Sequence, residues 1–589
     1  MSLFTQLKFG LLFFVVALWP GLSWSSEQGQ YIIDKIDLTS FPENTSTFAI
    51  AQNDSGHLYF ANYLNLFKFD GNRITLVAGD LNRHPRSLAF DTDGRLLVGY
   101  PGEFGYFAND ESGVMTFNDL TPLVRNQVDT VGNITHIAVR PEGVYFRTSK
   151  HIYFWRDQQT MTIIESNDGN FKHLYVVDDE LFVHRTSMGL FKLHSGRLSR
   201  ALDGAFFKDK VMKALLKIDG KLMAITQRKG VFVLQGQQFV AWKFKGKAEN
   251  ILRKSRIYTA IGLSNGLLAL SVEGENKGLW LLDKKGQMVR HMTTKDGLSN
   301  DLINVFFEDN QQGLWSGTEN GIDRIGVSSP LTYFDEHDQL QGSIRDVARY
   351  DGTLYVTTSR GLFQLQSVEQ DRVFVNLFDA TQDEYRSCFK LLLTKQGLLA
   401  ACNTSLYQIK KGELIHLDHI ATSGMSVMAL LPSDDTAQTQ VLIGHDGGLG
   451  LLIFEAGYWQ YRAVAQSTID TATVEIGIEG PRLIWLLDAP GTVKRLEFQD
   501  SLESTPTVQS FDQNSGLPKG FRAFSKVDGQ MVFLSNSGVY RFDGDSSRFV
   551  IHDGFAKFAG HRVIGLNESS QYVSLIENVS PERSEGVST

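Results

Sequence analysis

Five basic residues lie where a loop-borne binding site for anions would need them. All of them end or follow the second β-strand of three successive repeats in the sequence, and they are Arg147, Lys150, Arg185, Arg228 and Lys229. Arginine binds carboxylates and sulfates through two parallel hydrogen bonds, and lysine adds a point charge. In a chain whose net charge is −9, this cluster indicates a site for an acidic saccharide. The alternative is that these residues belong to ordinary polar loops in contact with water.

A second group of residues mixes aromatic and polar side chains, as surfaces that bind sugars often do. It comprises Tyr100, Glu103 and Phe104 from one loop, with His84 and Arg86 from the connection before it. The alternative is that Phe104 and its aromatic neighbours pack between two sheets of the fold. Both groups fall in predicted loops, and loops held by a rigid scaffold are where binding residues concentrate.

Patterns for catalysis or metal binding are scarce in the sequence. It has no His-Glu-x-x-His and no Cys-x-x-Cys, and its 14 histidines lack the spacing of a metal site. Residues 444–450, which are rich in glycine, are predicted to form a turn between strands because no helix follows them. We therefore predict no catalytic residue, no metal and no cofactor.

The two cysteines, Cys388 and Cys402, flank one predicted hairpin that turns near residues 394–397. Folding at that turn places them nearly opposite each other on adjacent strands. A disulfide is allowed in an oxidising compartment, although cross-strand geometry is demanding. The alternative is a pair of buried thiols that act as small hydrophobes.

The element that positions these residues is a β-rich repeat of about 40–45 residues, the spacing of propeller blades. Seven copies are predicted first, and they begin at Ala49, Ser87, His136, Leu174, Ala214, Tyr258 and Ile303. Later copies begin at Asp346, Lys390, Val427, Val474 and Phe521, and Arg562 begins one more strand. The sequence therefore predicts an all-β fold of tandem propellers with four-stranded blades. The first ring has about seven blades, and the second either closes with fewer blades or is incomplete.

The clearest copy, residues 293–325, shows how a blade is specified. Asp309 and Gly313 fit a hairpin turn in which the glycine supplies a positive φ, and Trp315 offers a flat face for packing. The copy resembles the repeat of the two-component regulator propeller family. The matching residues are Asp296-Gly-Leu-Ser-Asn300, Asp309, Gly313-Leu-Trp315, Gly317-Thr318 and Gly321-Ile322.

That resemblance implies the exported sensor region of a signalling protein. In the family, the propellers are usually followed by a small β-sandwich with a triple-tyrosine motif, a membrane span, and a histidine kinase or diguanylate cyclase domain. The resemblance therefore implies a chain truncated before these parts, whose intact relatives are anchored in the inner membrane.

The beginning of the sequence is similar to a secretory signal. Lys8 precedes an apolar run, residues 9–18, which is shorter than the roughly 20 residues of a membrane-spanning helix. Ser23 and Ser25 suit cleavage after residue 25, so we predict a periplasmic protein; an uncleaved anchor is the alternative. The predicted divisions are a signal peptide 1–25, a first propeller 30–335, a second propeller 336–575 and a polar tail 576–589.

These observations predict a non-catalytic sensor that binds a small extracellular ligand, and an anionic oligosaccharide is the class that the basic cluster favours. The acidic net charge, without any Lys/Arg-dense run, argues against nucleic acid as a partner. A homodimer stays open. The alternatives are a periplasmic propeller enzyme acting on carbohydrates and a protein-interaction scaffold. The enzyme needs acids or histidines that converge on the channel, whereas the positions that begin the inner strands are predicted to be mostly apolar.

Overall fold

The computed structural model describes residues 29–36, 46–77, 83–109, 115–156, 160–368, 371–378, 387–403, 405–417, 424–432, 438–464, 469, 471–489, 491–513, 516–518, 520–527, 529–558, 562–563 and 575–576. They form two compact units, one ending at Tyr333 and one beginning at Phe334, which we call the N-unit and the C-unit. The sequence places this boundary between residues 335 and 336. The predicted signal peptide 1–25 and tail residues 577–589 lie outside the described residues. Among those described, no helix is both long enough and apolar enough to cross a membrane.

The N-unit consists of short strands with little helix. Its strands are β1 (Ile33–Lys35), β2 (Thr47–Gln52), β3 (Leu58–Asn62), β4 (Leu66–Phe69), β5 (Ile74–Leu76), β6 (Ser87–Phe90), β7 (Leu96–Gly99), β8 (Phe104–Asn109), β9 (Met115–Asp119), β10 (His136–Arg140), β11 (Gly143–Arg147), β12 (His151–Trp155), β13 (Met161–Glu165), β14 (Phe171–Val177), β15 (Glu180–Arg185), β16 (Gly189–His194), β17 (Arg197–Arg200), β18 (Met212–Ile218), β19 (Lys221–Thr226), β20 (Val231–Gln235), β21 (Gln238–Trp242), β22 (Arg256–Gly262), β23 (Leu268–Glu273), β24 (Gly278–Leu282), β25 (Met288–Met292), β26 (Ile303–Glu308), β27 (Leu314–Thr318) and β28 (Ile322–Ile325). The helices are α1 (Pro122–Arg125) and α2 (Lys247–Leu252), with 3-10 turns at Gly204–Phe207 and Thr294–Asp296.

These strands form seven antiparallel four-stranded sheets arranged as a closed ring. Blades 1 to 6 each take four consecutive strands, from β2–β5 to β22–β25. Blade 7 takes β26, β27 and β28, and β1 supplies its fourth strand by pairing Ile33 with Ile325. The innermost strands of successive blades pack side by side, and β26 of blade 7 packs on β2 of blade 1. The start of the unit therefore closes the ring at its end, which leaves no blade with a bare face.

The middle strands of the blades are buried because each sheet is covered on both faces by its neighbours. Leu314–Thr318 of β27 and Gly278–Leu282 of β24 are buried at all of their residues. Trp315 lies between blades 7 and 1, with ring centroids 5.6 Å from Phe60 and 5.9 Å from Phe69. Aromatic faces at these joints account for much of the apolar area that the ring removes from water.

The Asp309 turn fixes Trp315 through a buried polar contact. The indole Nε1 donates to Asp309 Oδ2 at 2.8 Å, and Arg324 Nε donates to the same oxygen at 2.9 Å. Burial alone would raise the pKa of Asp309, but the hydrogen bonds from Trp315 and Arg324 outweigh it and the pKa is lowered.

The role predicted for Gly313 in this turn is corrected by the structure. Gln312, and not Gly313, takes the positive φ, at 64°. A Cβ on Gly313 would lie 2.8 Å from Asp309 Oδ2 and from Arg324 Nε. The glycine is needed because the ion pair passes close to its backbone.

The C-unit repeats the same blade. Its strands are β29 (Ile344–Tyr350), β30 (Thr353–Thr358), β31 (Gly361–Val368), β32 (Asp371–Asn376), β33 (Cys388–Thr394), β34 (Gly397–Cys402), β35 (Ser405–Lys410), β36 (Glu413–His416), β37 (Val427–Leu430), β38 (Thr439–His445), β39 (Gly448–Glu455), β40 (Tyr458–Val464), β41 (Thr473–Gly480), β42 (Leu483–Asp488), β43 (Val493–Glu497), β44 (Thr507–Phe511), β45 (Phe521–Val527), β46 (Gln530–Ser535), β47 (Gly538–Asp543), β48 (Arg548–Ile551), β49 (Arg562–Val563) and β50 (Leu575–Ile576), with 3-10 turns at Glu336–Asp338 and Asp553–Phe558.

In its described residues the C-unit has five four-stranded sheets, β29–β32 to β45–β48, and the strand pair β49–β50. The inner strands pack in sequence order from β29 to β45. The inner strand of the first of these sheets, β29, has apolar side chains in contact with water, since Ile344 is 55% and Val347 is 50% exposed. The prediction of an all-β fold built from four-stranded propeller blades is confirmed.

A disulfide joins the first two strands of the second C-unit sheet. Cys388 of β33 and Cys402 of β34 are cross-strand partners, and their sulfurs are bonded. Both residues are buried, at 0% and 1% exposure. Of the two alternatives that the sequence left open, the structure contains the bonded pair.

Candidate functional site

One end of the N-unit holds most of the residues that the sequence analysis identified. In every blade the first residue of the inner strand pairs with the last residue of the second strand, as His136 pairs with Arg147 and Phe171 with Arg185. The loops between second and third strands therefore lie at the end where the inner strands begin. We call this end of the N-unit the upper face.

The inner strands carry β-bulges at the upper face. In blades 4, 5 and 6 the pairing with the second strand shifts register at Lys172, Lys213 and Tyr258. A bulge leaves one residue without a cross-strand partner and turns its side chain in a new direction. The amino group of Lys213 lies over the Tyr258 ring, 4.5 Å from its centroid. Bulge residues of neighbouring blades therefore meet.

Arg147 is an unusual residue at this end, because its cation is buried and no carboxylate among the described residues pairs with it. It is 6% exposed. Its Nη1 donates to the carbonyl of Phe171 at 3.3 Å and its Nη2 to Nδ1 of His136 at 2.6 Å. Its Nε has no hydrogen-bond partner among the described residues, and neither of its two acceptors is a carboxylate. Burial lowers the pKa of Arg147 to about 10.

A line of hydrogen bonds continues from Arg147 into a histidine pair. Since arginine has only donors, Nδ1 of His136 must accept, and the proton of this neutral ring is on Nε2. That Nε2 lies 3.3 Å from Nδ1 of His173 and donates to it. The remaining proton of His173 is therefore on its own Nε2, where the line ends in a donor.

Both histidines are neutral. The pKa of His136 and the pKa of His173 are held well below the ordinary value by burial, and next by the positive charge of Arg147. The same physical cause, burial, lowers the pKa of His184 nearby to about 4.

Two further donors complete the group. The hydroxyl of Tyr175, which is 8% exposed, has no hydrogen-bond partner among the described residues. Lys213 is partly buried, and burial followed by the charge of Arg256 lowers its pKa. We call His136, Arg147, His173, Tyr175 and Lys213 the axial cluster, since the inner strands surround the axis of the ring.

The axial cluster can hold an anion. Four of its groups can donate beyond the hydrogen bonds described above, and the cluster contains no carboxylate; the groups are Nε of Arg147, Nε2 of His173, the Tyr175 hydroxyl and the Lys213 amine. Glu273, the acid on the next blade, pairs with Arg256 at 2.9 Å. Several donors beside a fixed cation favour a carboxylate as their partner.

The other predicted basic residues surround this cluster at the upper face. Lys150 lies between β11 and β12, Arg228 and Lys229 lie between β19 and β20, and all three are exposed. Arg185 is held in place, because its Nη2 donates to the carbonyl of Asp168 at 2.7 Å and to Ser166 Oγ at 3.1 Å. The prediction that Arg147 is a loop residue exposed to ligand is wrong: it ends β11 and is buried.

The second predicted group is largely part of the core. Tyr100 and Phe104 are 1% and 0% exposed, and Phe104 stacks on Tyr153 with ring centroids 5.2 Å apart. Their predicted contact with sugar is therefore wrong, since Tyr100 packs in the joint between blades 1 and 2 and Phe104 in the joint between blades 2 and 3. Glu103 forms an ion pair with Arg83 at 2.7 Å.

The two remaining residues of that group lie at the joint of blades 1 and 2. Nδ1 of His84 lies 2.8 Å from the carbonyl of Tyr63. The guanidinium of Arg86 lies over the rings of Phe48 and Tyr63, at 4.4 Å and 5.3 Å from their centroids. Both are only partly buried, so they can contribute to the upper face.

The described residues show no catalytic arrangement. Residues 262–266, Gly-Leu-Ser-Asn-Gly, have the spacing of a nucleophile elbow, but they turn from β22 into β23 and no helix follows them. Ser264 Oγ donates to Glu308 at 2.6 Å. Within the described ranges, no three His, Cys, Asp or Glu residues group as a metal site would require.

Sequence reasoning missed His136, His173, Tyr175 and Lys213. It expected the positions that begin the inner strands to be mostly apolar, and blades 3 to 5 depart from this. The available signal was positional: a polar residue recurs at the start of the inner strand in each of these three repeats, at His136, Lys172 and Lys213.

Comparison with known proteins supports the fold. Neither a protein-family model nor a curated protein sequence matches the chain. Its structure is similar to the solved extracellular domain of BT3049 from B. thetaiotaomicron, described as a hybrid two-component system, with a TM-score of 0.50, 15% identity, and coverage of 89% of this chain and 78% of that one. Weaker likenesses are to the extracellular domain of BT4673 from the same organism (TM-score 0.41, 13% identity, 91% and 75% coverage) and to virginiamycin B lyase from Staphylococcus aureus (0.39, 12%, 50% and 99%). The propeller fold implied by the family resemblance is confirmed.

Proposed function

We propose that the chain is the exported, non-catalytic part of a transmembrane sensor, and that the upper face of its N-unit binds an acidic oligosaccharide. The proposal rests on the buried guanidinium of Arg147, which is not paired with a carboxylate in the described part of the chain. Burying a charge without a counterion costs several kcal/mol in free energy. An anionic ligand would supply the missing partner.

The exposed residues around the axial cluster support a ligand larger than a single anion. Lys150 of blade 3, Lys172 of blade 4, and Arg228 and Lys229 of blade 5 are exposed. Positive charges on three neighbouring blades suit a chain of acidic sugar units. In a protein with a net charge of −9, such a region also attracts anions over a distance set by ionic strength.

The sensor role is supported by the shared fold. BT3049, whose extracellular domain is similar to this chain, is described as a hybrid two-component system. An exported domain that binds a ligand, and whose described residues lack a catalytic arrangement, would transmit binding instead of turning the ligand over.

The binding test compares acidic with neutral oligosaccharides of equal length, for example oligogalacturonides with cello-oligosaccharides, by titration calorimetry. We expect binding of the acidic series only. The double variant Lys150→Ala/Lys229→Ala should weaken it by up to about tenfold, the scale of two exposed charge contacts. A matched control, Lys217→Ala/Lys221→Ala, removes two lysines from the opposite end of blade 5 and should change nothing.

Two outcomes would refute the proposal. Equal affinity for both series would show that charge does not select the ligand. Shortening of an oligosaccharide during incubation, detected by chromatography, would show that the chain is an enzyme.

A further inference from the structure

We propose that the axial cluster is a subsite for one carboxylate group, which it binds between Arg147, His173, Tyr175 and Lys213. This inference deepens the proposed function and rests on it for the class of ligand, an acidic sugar. It identifies the carboxylate as the group of that sugar that is recognised, and it names the residues that bind this carboxylate.

The hydrogen bonds within the axial cluster run in one direction, from Arg147 towards His173. Arg147 donates to His136 and His136 donates to His173, so the groups left over on Arg147, His173 and Lys213 only donate, and the hydroxyl of Tyr175 can donate as well as accept. A neutral sugar hydroxyl needs acceptors as well as donors, whereas a carboxylate only accepts. The excess of donors, three of them on basic residues, therefore favours a carboxylate over an uncharged hydroxyl.

Two buried polar groups of the axial cluster cost free energy while no ligand is bound. Nε of Arg147 and the hydroxyl of Tyr175 are buried without a partner among the described residues. A buried donor without a partner costs free energy, and a ligand oxygen that accepts from it recovers this cost. Neither atom is in contact with solvent in this structure, so a ligand oxygen reaches them when the side chains at the upper face move aside.

Part of the axial cluster is accessible to a ligand from the upper face. His136, His173 and Lys213 are only partly buried, and Tyr258 beside Lys213 is also partly exposed. The cluster thus reaches the solvent at the upper face, where the exposed lysines lie. A carboxylate can enter there while the remainder of the sugar stays on the surface.

Binding should be coupled to proton uptake. The groups that act on the pair are the cations Arg147, Lys213 and Lys172 and the ring of His184, whose pKa of about 4 leaves it neutral at pH 7. They and burial keep both rings neutral, and an arriving carboxylate opposes them by stabilising the imidazolium. Affinity should therefore rise as the pH falls below 7, by at most about tenfold per pH unit for one proton.

The test uses D-glucuronate as the probe and its methyl ester, which keeps the sugar and loses the charge, as the matched control. Titration calorimetry in buffers of different ionisation enthalpy measures affinity and proton uptake together. We expect millimolar binding of glucuronate, none of the ester, and uptake of protons at pH 6. Nitrogen NMR of the histidine rings should report protonation in the complex.

Two conservative variants test the residues. Tyr175→Phe keeps the ring and removes the hydroxyl, and Lys213→Gln removes the charge at a partly exposed position. Each should weaken glucuronate binding about fivefold or more, the scale of one lost hydrogen bond to a charged group. Lys221→Gln, on the opposite end of blade 5, should not.

The outcomes separate this inference from the proposed function. If acidic oligosaccharides bind but Tyr175→Phe and Lys213→Gln leave their affinity unchanged, the subsite is wrong and the function stands. If glucuronate binds with the expected dependence but no oligosaccharide does, the subsite stands and the function is wrong. Equal binding of the ester, or no binding of glucuronate at about 10 mM, overturns the subsite.

Discussion

The N-unit and the C-unit build their blades alike but treat charge differently where the inner strands begin. In the N-unit, Arg147 is buried without a counterion in the described residues. In the C-unit, Asp346 of β29 pairs with Lys390 of β33 at 3.2 Å and accepts from the backbone N–H of Leu391 at 2.9 Å. A paired charge between inner strands stabilises the joint. Arg147 instead donates to the neutral acceptors Phe171 and His136, whereas Arg256 at the same end of the N-unit pairs with Glu273. This contrast favours binding as the role of the N-unit cluster.

The units share the contact that anchors a tryptophan between blades. Trp315 of the N-unit donates to Asp309 at 2.8 Å, and Trp485 of the C-unit donates to Glu479 at 2.7 Å. In both cases the acceptor lies six residues earlier in the chain. The two units therefore share this contact of the scaffold and differ in the charged side chains near their inner strands.

The largest expected effect comes from removing these tryptophans. Trp315→Ala and Trp485→Ala should each lower the free energy of unfolding by about 3–5 kcal/mol, because a fully buried ring is lost. At Trp315 the buried carboxylate of Asp309 also loses a donor. Chemical denaturation measures the loss, and hydrogen exchange of peptides shows in which unit it occurs. Trp242→Ala, at a partly exposed ring, should cost clearly less. Equal losses at all three sites would contradict the shared role.

The sequence predicted the turn at Asp309 and the packing of Trp315 but neither of these hydrogen bonds, and only the first has a recognisable turn motif around it. Around Trp315 the acid lies in the hairpin turn, where a spaced motif shows it. Glu479 instead lies within β41 (Thr473–Gly480), and Leu483 to Trp485 begin the next strand, so no turn motif identifies the pair. A local pattern finds a contact only when the turn itself brings the partners together.

Ring closure and the axial cluster were missed because neither is local. The strand Ile33–Lys35 has three residues, which are too few to show a periodicity in the sequence. It forms a strand because it pairs with β28 and completes blade 7. His136 and His173 belong to adjacent blades and meet across the joint. Their separation in sequence follows the repeat length and resembles no known ligand spacing, so the sequence presents them as scattered histidines.

The next effect concerns the C-unit disulfide. Cys388→Ala/Cys402→Ala should lower the free energy of unfolding by about 3 kcal/mol, the chain-entropy value for a loop of this size; the cysteines are 14 residues apart. Denaturation with and without reductant measures it, and reductant should have no further effect on the variant. Glucuronate affinity should stay unchanged, because the axial cluster is in the N-unit. A variant as stable as the oxidised protein would contradict the expectation.

Glu475 of the C-unit and the histidine pair of the N-unit should contribute to stability with opposite pH dependence. In the C-unit, burial raises the pKa of Glu475 from 4.5 to about 7, while Lys390 acts the other way. The folded state holds this proton more firmly than the unfolded chain. Its contribution to stability is therefore full below about pH 4.5 and is lost as the pH rises through about 7. Glu475→Gln should raise stability at pH 8 by about 2 kcal/mol, less than the full shift because the residue is partly exposed.

The histidine pair of the N-unit has the reverse sign. Its lowered pKa values mean that the unfolded chain binds the protons more firmly, so this contribution is full above about pH 6.5 and is lost as the pH falls. Hydrogen exchange at pH 5.5 and pH 8, read separately for the two units, should show these opposite slopes. Parallel slopes would remove the electrostatic contrast between the units.

The smallest effect distinguishes a binding residue from a structural one. Tyr175→Phe removes a hydroxyl that is buried without a partner among the described residues, so it should stabilise the N-unit by about 1 kcal/mol. Tyr153→Phe is the matched control, because that hydroxyl donates to the carbonyl of Val131 at 2.9 Å and its loss should destabilise by a similar amount. Thermal denaturation compares the two. A stabilised Tyr175→Phe protein that binds glucuronate less well would show that the hydroxyl is kept for the ligand, whereas a destabilised one would mean that it serves the fold.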